Sequence, residues 1–162
     1  MNKTGPMLAV MALILAACGG SGNGETATTT AAPQTTTTTE APGFVPSGDA
    51  DMDAVATAYI VAFDSTTDYG TKLPYVEDLT GLEETVAKYI EQGETMGGVT
   101  IAITSVTIND DTADIQYDLL FNNNPVYPDL SGTALLIDGG WVVPRTEFCG
   151  MMSSARVPCP AE

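Results

Sequence analysis

The sequence contains no histidine. Serine–histidine and cysteine–histidine nucleophile pairs are therefore excluded, because each relies on an imidazole to take the proton. Positive charge is nearly as scarce: the 162 residues carry five Lys and Arg against 21 Asp and Glu, a formal net charge of −16 at pH 7. From residue 49 onward the only cations are Lys72, Lys88, Arg145 and Arg156. Such a surface repels phosphate backbones and offers no polybasic patch to anionic lipid headgroups, which disfavours nucleic-acid binding and electrostatic membrane docking. The acidity reads instead as a solvated exterior. Neither a Gly-x-Ser-x-Gly elbow nor a phosphate-cradling glycine loop is present. Asp49-Ala50-Asp51-Met52-Asp53 begins like a calcium loop, but Ala54 stands where the turn glycine belongs and Ile60 where the bidentate Glu belongs. These acids read as helix-capping groups, and neither a cofactor nor a metal is predicted.

A long apolar run is also missing. The stretch Met7 to Ala17 is 11 residues, whereas a membrane-spanning helix needs about 20. With Lys3 before it and small residues at its end, this stretch has the form of a secretory signal. Leu15-Ala16-Ala17-Cys18 resembles the lipobox of bacterial lipoproteins. That resemblance implies cleavage after residue 17 and diacylation of the Cys18 thiol; an ordinary signal peptide with an incidental cysteine is the alternative. Residues 18–48 then comprise the lipidated cysteine and a Thr-, Pro- and Gly-rich tether, with too little apolar surface to offset the entropy of ordering. As a flexible coil this tether would span about 30 Å.

Only three cysteines are present. With Cys18 assigned to the anchor, Cys149 and Cys159 remain as an even pair in an oxidising compartment and read as a disulfide. The loop it would close is short, worth about 3 kcal/mol on the chain-entropy model. A metal pair is the weaker alternative, since neither a histidine nor a further thiol completes four ligands.

Residues 49–162 hold one domain. Asp51 or Asp53 can cap a helix whose apolar positions Val55, Ala58, Tyr59, Ala62 and Phe63 follow helical spacing. Leu73–Val76 suits a short helical turn, and a second long helix is expected from about Leu82 to Gln92. From Val99 the apolar period switches to two. Val99, Ile101 and Ile103 are followed by Val106 and Ile108 one step out of phase, which predicts a β-bulge near Thr104–Ser105. Ala113, Ile115, Tyr117, Leu119 and Phe121 mark a second strand face. Asn122–Asp129, with Pro125 and Pro128, reads as an exposed connecting loop and a candidate contact site. Leu130–Ile137 and Trp141 to about Phe148 are the third and fourth strands, joined by a turn at Asp138-Gly139-Gly140. The pattern predicts an α+β fold: two or three N-terminal helices packed on a curved four-stranded antiparallel sheet, as in NTF2-like or cystatin-like proteins.

Asp138-Gly139-Gly140-Trp141-Val142-Val143, Phe148-Cys149 and Pro158-Cys159-Pro160 resemble the C-terminal domain of the mycobacterial low-molecular-weight secreted antigen family. The resemblance spans about residues 50–160. It implies an exported NTF2-like domain without an established catalytic activity, and it transfers no functional residues.

A bent sheet under a helix layer leaves a cleft, for which the sequence offers Asp64, Asp118, Tyr59, Tyr117 and Arg145. By strand alternation Asp118 points away from Tyr117, and both tyrosines are more ordinarily core residues than ligand contacts. Arg145 would bind an anion if it faced the cleft, or a neighbouring carboxylate if it did not. The functional expectation is a lipid-anchored protein on the extracytoplasmic face of the membrane, at the cell surface or in the periplasm. Its domain would bind an envelope protein or a small ligand without catalysis. A cleft enzyme using a carboxylate and tyrosine, or a structural envelope component, are the alternatives.

Overall fold

A computed structural model describes residues 45–161. The predicted signal segment 1–17, Cys18 and the tether as far as residue 44 lie outside the described residues.

The first helix, α1, runs Ala50–Phe63. Its N-cap is Asp49, two residues before the nearer of the predicted caps: the Asp49 carboxylate accepts from the backbone N–H groups of Asp51 and Met52 at 3.0 and 3.2 Å. Asp51 and Asp53 fall inside the first turn, where their charge opposes the helix dipole. The Asp53 carboxylate also accepts from the Ser47 backbone N–H at 2.7 Å and its hydroxyl at 2.8 Å, which fixes the chain entering the helix. A single turn α2, Tyr69–Lys72, continues into a 3-10 turn at Leu73–Tyr75, within the short helical turn expected over Leu73–Val76. The third helix, α3, covers Glu83–Thr95, with Glu83 and Glu84 in its first turn.

Four strands follow in an antiparallel meander, β1 (Val99–Asn109), β2 (Thr112–Phe121), β3 (Asn124–Ile137) and β4 (Gly140–Val142), in the order β1-β2-β3-β4. The expected bulge is present. Ile103 pairs with Tyr117 and Ser105 with Gln116, leaving Thr104 unopposed, so Ile103 and Val106 both turn toward the helices. The α+β architecture is thus the one the apolar periods indicated, with two departures.

Asn122–Asp129 is not a loop. Asn122 and Asn123, at φ 49° and 59°, form a tight two-residue turn, and Asn124 already pairs with Phe121. Asparagine tolerates the left-handed conformation that such hairpin turns require. Pro125 and Pro128 are accommodated because the β2–β3 register shifts twice beyond Tyr117, and Asp129 takes φ 57° there.

The fourth strand is also shorter than expected. It ends at Val142, and a helix α4 occupies Arg145–Ser154, so a fourth helix follows the sheet as well as those before it. Pro144 stops the strand, since its nitrogen cannot donate to a ladder. Phe148 and Met152 then repeat at helical spacing and are fully buried. Between strand and helix, Val143 forms a parallel bridge to Val76, tying the segment after the 3-10 turn to the sheet. The Sγ atoms of Cys149, on α4, and Cys159, in the tail, are bonded, with Cα atoms 5.5 Å apart.

The core lies between α1, α3, α4 and the concave sheet face. Tyr59, Phe63, Leu82, Tyr89, Ile101, Ile115, Phe148 and Met152 are all at most 1 % exposed. Phe63 stacks between Tyr117 and Phe148, with ring centroids at 6.4 and 6.1 Å. No helix among the described residues is long and apolar enough to cross a membrane.

Candidate functional site

The helices do not cover the whole concave face. An open cleft of about 1270 Å³ remains between the C-terminal half of α3, the bulged end of β2–β3 and α4. Tyr89, Gln92, Thr95 and Met96 form the α3 wall, and Glu147, Met151, Ser154 and Ala155 form the α4 wall. The sheet contributes Ile115, Tyr117, Leu119, Leu130, Gly132 and Thr133, while Phe121, Tyr127 and Arg156 lie toward the outside.

The cleft has a polar floor. Glu147, in the first turn of α4, directs its carboxylate over Gly132 of β3: a Cβ at residue 132 would fall 1.9 Å from Glu147 Oε1 and 2.2 Å from the Tyr59 hydroxyl oxygen. Only glycine leaves room there. The two carboxylate oxygens are held separately. Oε2 accepts from the Thr133 backbone N–H at 2.8 Å, and Oε1 accepts from the Tyr59 hydroxyl, which also faces the Thr133 carbonyl oxygen at 2.9 Å. Tyr59 is fully buried behind this group and takes no part in the cleft lining. Burial, reinforced by the hydrogen bond to Glu147 and by its negative charge, pushes the Tyr59 phenol far above its ordinary range. Tyr117 does line the cleft, and burial, with the Glu147 charge second, pushes its phenol up to about 12. Both phenols therefore keep their protons near neutral pH.

Of the residues singled out from the sequence, Tyr59 and Tyr117 come together, their ring centroids 5.7 Å apart. Arg145 does not join them. It sits on the other side of α4, where its guanidinium donates to the carbonyl oxygens of Asp78 and Thr80 at 2.8 and 3.2 Å and pairs with the Asp78 carboxylate at 3.7 Å. Asp64 receives the Thr66 N–H and hydroxyl at 2.7 Å each, beyond the end of α1, and Asp118 receives the Asp129 N–H at 3.0 Å. Neither lines the cleft. Tyr127, inside the segment read as the Asn122–Asp129 loop, is on β3 and packs edge-on against Phe121 with centroids 6.1 Å apart.

Glu147 is the residue the sequence reading missed. Placed at the end of a strand it has no inward role; on a helix it shares the cleft-facing side with Met151, four residues on. The signal was available in Pro144, followed by apolar residues at positions 148, 151, 152 and 155. Among the described residues no group of three or more His, Cys, Asp or Glu side chains is gathered for a metal ion.

A Campylobacter jejuni structure described as an NTF2-like transpeptidase aligns at 22 % identity and a TM-score of 0.38, over 58 % of this chain and 93 % of its own. A likeness at that score carries no argument about chemistry. No curated protein matches the sequence. The family model described as low molecular weight antigen MTB12, C-terminal domain, matches residues 49–159. This match spans the four helices, the whole sheet and the disulfide. The chain therefore belongs to the family of the low molecular weight antigen MTB12 C-terminal domain.

Proposed function

We propose that this chain is an exported cell-envelope protein, held on the outer face of the membrane by acyl chains on Cys18, whose domain binds a small ligand without catalysis. The observation that carries the binding role is the open cleft, with mainly apolar walls and a carboxylate at its floor. Pockets that hold small molecules have this composition, an apolar enclosure with a few convergent polar groups. A cleft packed with aliphatic side chains would have argued for a purely structural domain. Glu147 beside two tyrosines is also what a cleft enzyme would use, but both of its oxygens already hold structural partners, Tyr59 and the Thr133 N–H. That arrangement favours recognition over proton abstraction.

Binding is tested with Nile red, a neutral apolar dye whose emission shifts to the blue in a dry site. The protein is expected to bind it. The double variant Thr95→Trp/Ser154→Trp, at two exposed positions on opposite walls, fills the cleft and abolishes the shift. Equal dye binding by the double variant would place the site elsewhere. The anchor is supported by Leu15-Ala16-Ala17-Cys18 and is tested by Cys18→Ala in cells. Mass spectrometry of membrane fractions is expected to find the wild-type chain diacylated and the variant lost from the membrane; unchanged retention defeats the anchor.

A further inference from the structure

The cleft is not chemically neutral along its length. Its walls are mainly apolar, through Met96, Leu119, Leu130 and Met151; of its two carboxylates Asp114 is exposed, while Glu147 is half-buried at the floor, where Tyr117 also lines the cleft. Each carboxylate oxygen uses one acceptor position on its structural partner and, with about two lone pairs per oxygen, keeps further capacity toward the cleft. Tyr117 makes no side-chain hydrogen bond to another described residue, so its hydroxyl is available to a ligand. A carboxylate and a phenol hydroxyl set among apolar walls recognise an ammonium group by charge and by hydrogen bonding together. The surrounding protein, at a net charge of −16, biases the approach of ligands in the same sense. The one cation lining the cleft, Arg156, is exposed at its outer end.

We infer that the cleft selects a cationic amphiphile, with an ammonium head on Glu147 and Tyr117 and an apolar chain lying between α3, α4 and the bulged end of the sheet. This inference rests on the binding role proposed above and adds the charge and polarity of the ligand. An anion would meet Glu147 unpaired. A neutral alcohol of the same length would gain the apolar contacts and lose the ion pair. In a partly desolvated cleft that pair outweighs its counterpart in bulk water.

The test is calorimetric titration of the purified protein at neutral pH with three probes of equal chain length: n-octylamine, protonated at that pH, 1-octanol and octanoate. The expected order is octylammonium tighter than octanol by about tenfold, with octanoate the weakest. Added salt should weaken octylammonium binding and leave octanol unchanged. In Glu147→Gln, which keeps the hydrogen-bonding shape, octylammonium should fall to the octanol level while octanol is unaffected. Octanol binding as well as octylammonium in the wild-type protein, or a preference that survives Glu147→Gln, overturns the cationic head and leaves the cleft as an apolar site. The head-group and salt comparisons use only the wild-type protein, so they decide the matter even if the variant does not fold. Failure of all three probes to bind overturns the small-ligand role itself, and this inference with it.

Discussion

At the C-terminus of α1, Lys72 is completely buried, and its ammonium donates to the carbonyl oxygens of Val61, Ala62 and Asp64 at 2.8, 3.0 and 2.7 Å. Nearby, the Tyr89 hydroxyl donates to the Phe63 carbonyl at 2.7 Å, and the Ser65 hydroxyl accepts the Val99 N–H at 2.8 Å. Gly93 passes so close to Ser65 that a Cβ would lie 2.2 Å from its oxygen. At the cleft, Tyr59 and Glu147 are buried or half-buried too, but there a hydroxyl and a carboxylate hold each other as well as the backbone, and the carboxylate keeps one side on open space. In the first region every polar side chain completes a helix end or a strand end. In the second, Tyr59 and Glu147 also satisfy the Thr133 N–H and carbonyl, which lie beyond the reach of β4, but the carboxylate keeps acceptor capacity on the cleft side. That contrast separates a structural polar cluster from a recognition site within one small core.

The comparison breaks most severely at Lys72. Lys72→Met leaves three buried carbonyls without their donor and should lower the unfolding free energy by about 3 kcal/mol, measured by urea denaturation, while the cleft of the folded fraction still takes Nile red. A neutral result would mean that the ammonium does not hold the end of α1. The same residue gives a pH signature. Burial pulls the Lys72 ammonium down from its ordinary 10.5 to about 8, the charges of Asp64 and Asp68 opposing the shift. Between those two values the unfolded chain holds a proton that the folded chain has released, so the unfolding free energy rises with pH. This rise, absent in Lys72→Met, should flatten above pH of about 10, where tyrosines freed by unfolding ionise and pull the other way.

Gly132→Ala is the matching change at the cleft. The new methyl displaces the Glu147 carboxylate from Tyr59, at an expected cost of about 2 kcal/mol, and octylammonium binding should fall together with stability. Full stability with intact binding would show that α4 can shift without consequence and would dissolve the contrast between the regions. Arg145→Ala is the smallest of the three. The guanidinium bonds Asp78 and Thr80 outside the cleft, so the expected loss is about 1 kcal/mol, with ligand binding unchanged.

The contrast also explains what could be read from the amino acids alone. Apolar periods located α1, α3, β1 and β2 within a few residues, because each of these elements has one face against a single core. The bulge was visible because Ile103 and Val106 break an otherwise strict alternation. Asn122–Asp129 was misplaced because its side chains are exposed, leaving no apolar period, and the two asparagines lack the glycine that usually marks such a turn. Glu147 was hidden for a different reason. Its importance depends on α4 folding back across β3, a long-range event to which residues 141–148 give no local clue beyond Pro144. Tyr59 and Tyr117 were both singled out, but the carboxylate that accepts from Tyr59 was not.

The displaced registers of β1 and β3 have one more consequence. β3 carries two residues more than β2 needs to match it, and β1 carries one, all on strands that continue past the extra positions. The hollow therefore depends on the number of residues in each strand as much as on their chemistry. Deleting Thr104 alone would leave every lining side chain in the sequence and keep Val106 and Ile108 opposite Ile115 and Ala113, yet would remove the bulge and straighten β1 beside them. The two extra residues of β3 lie where the sheet lines the cleft, so the length of that strand shapes the hollow as much as the side chains that face into it.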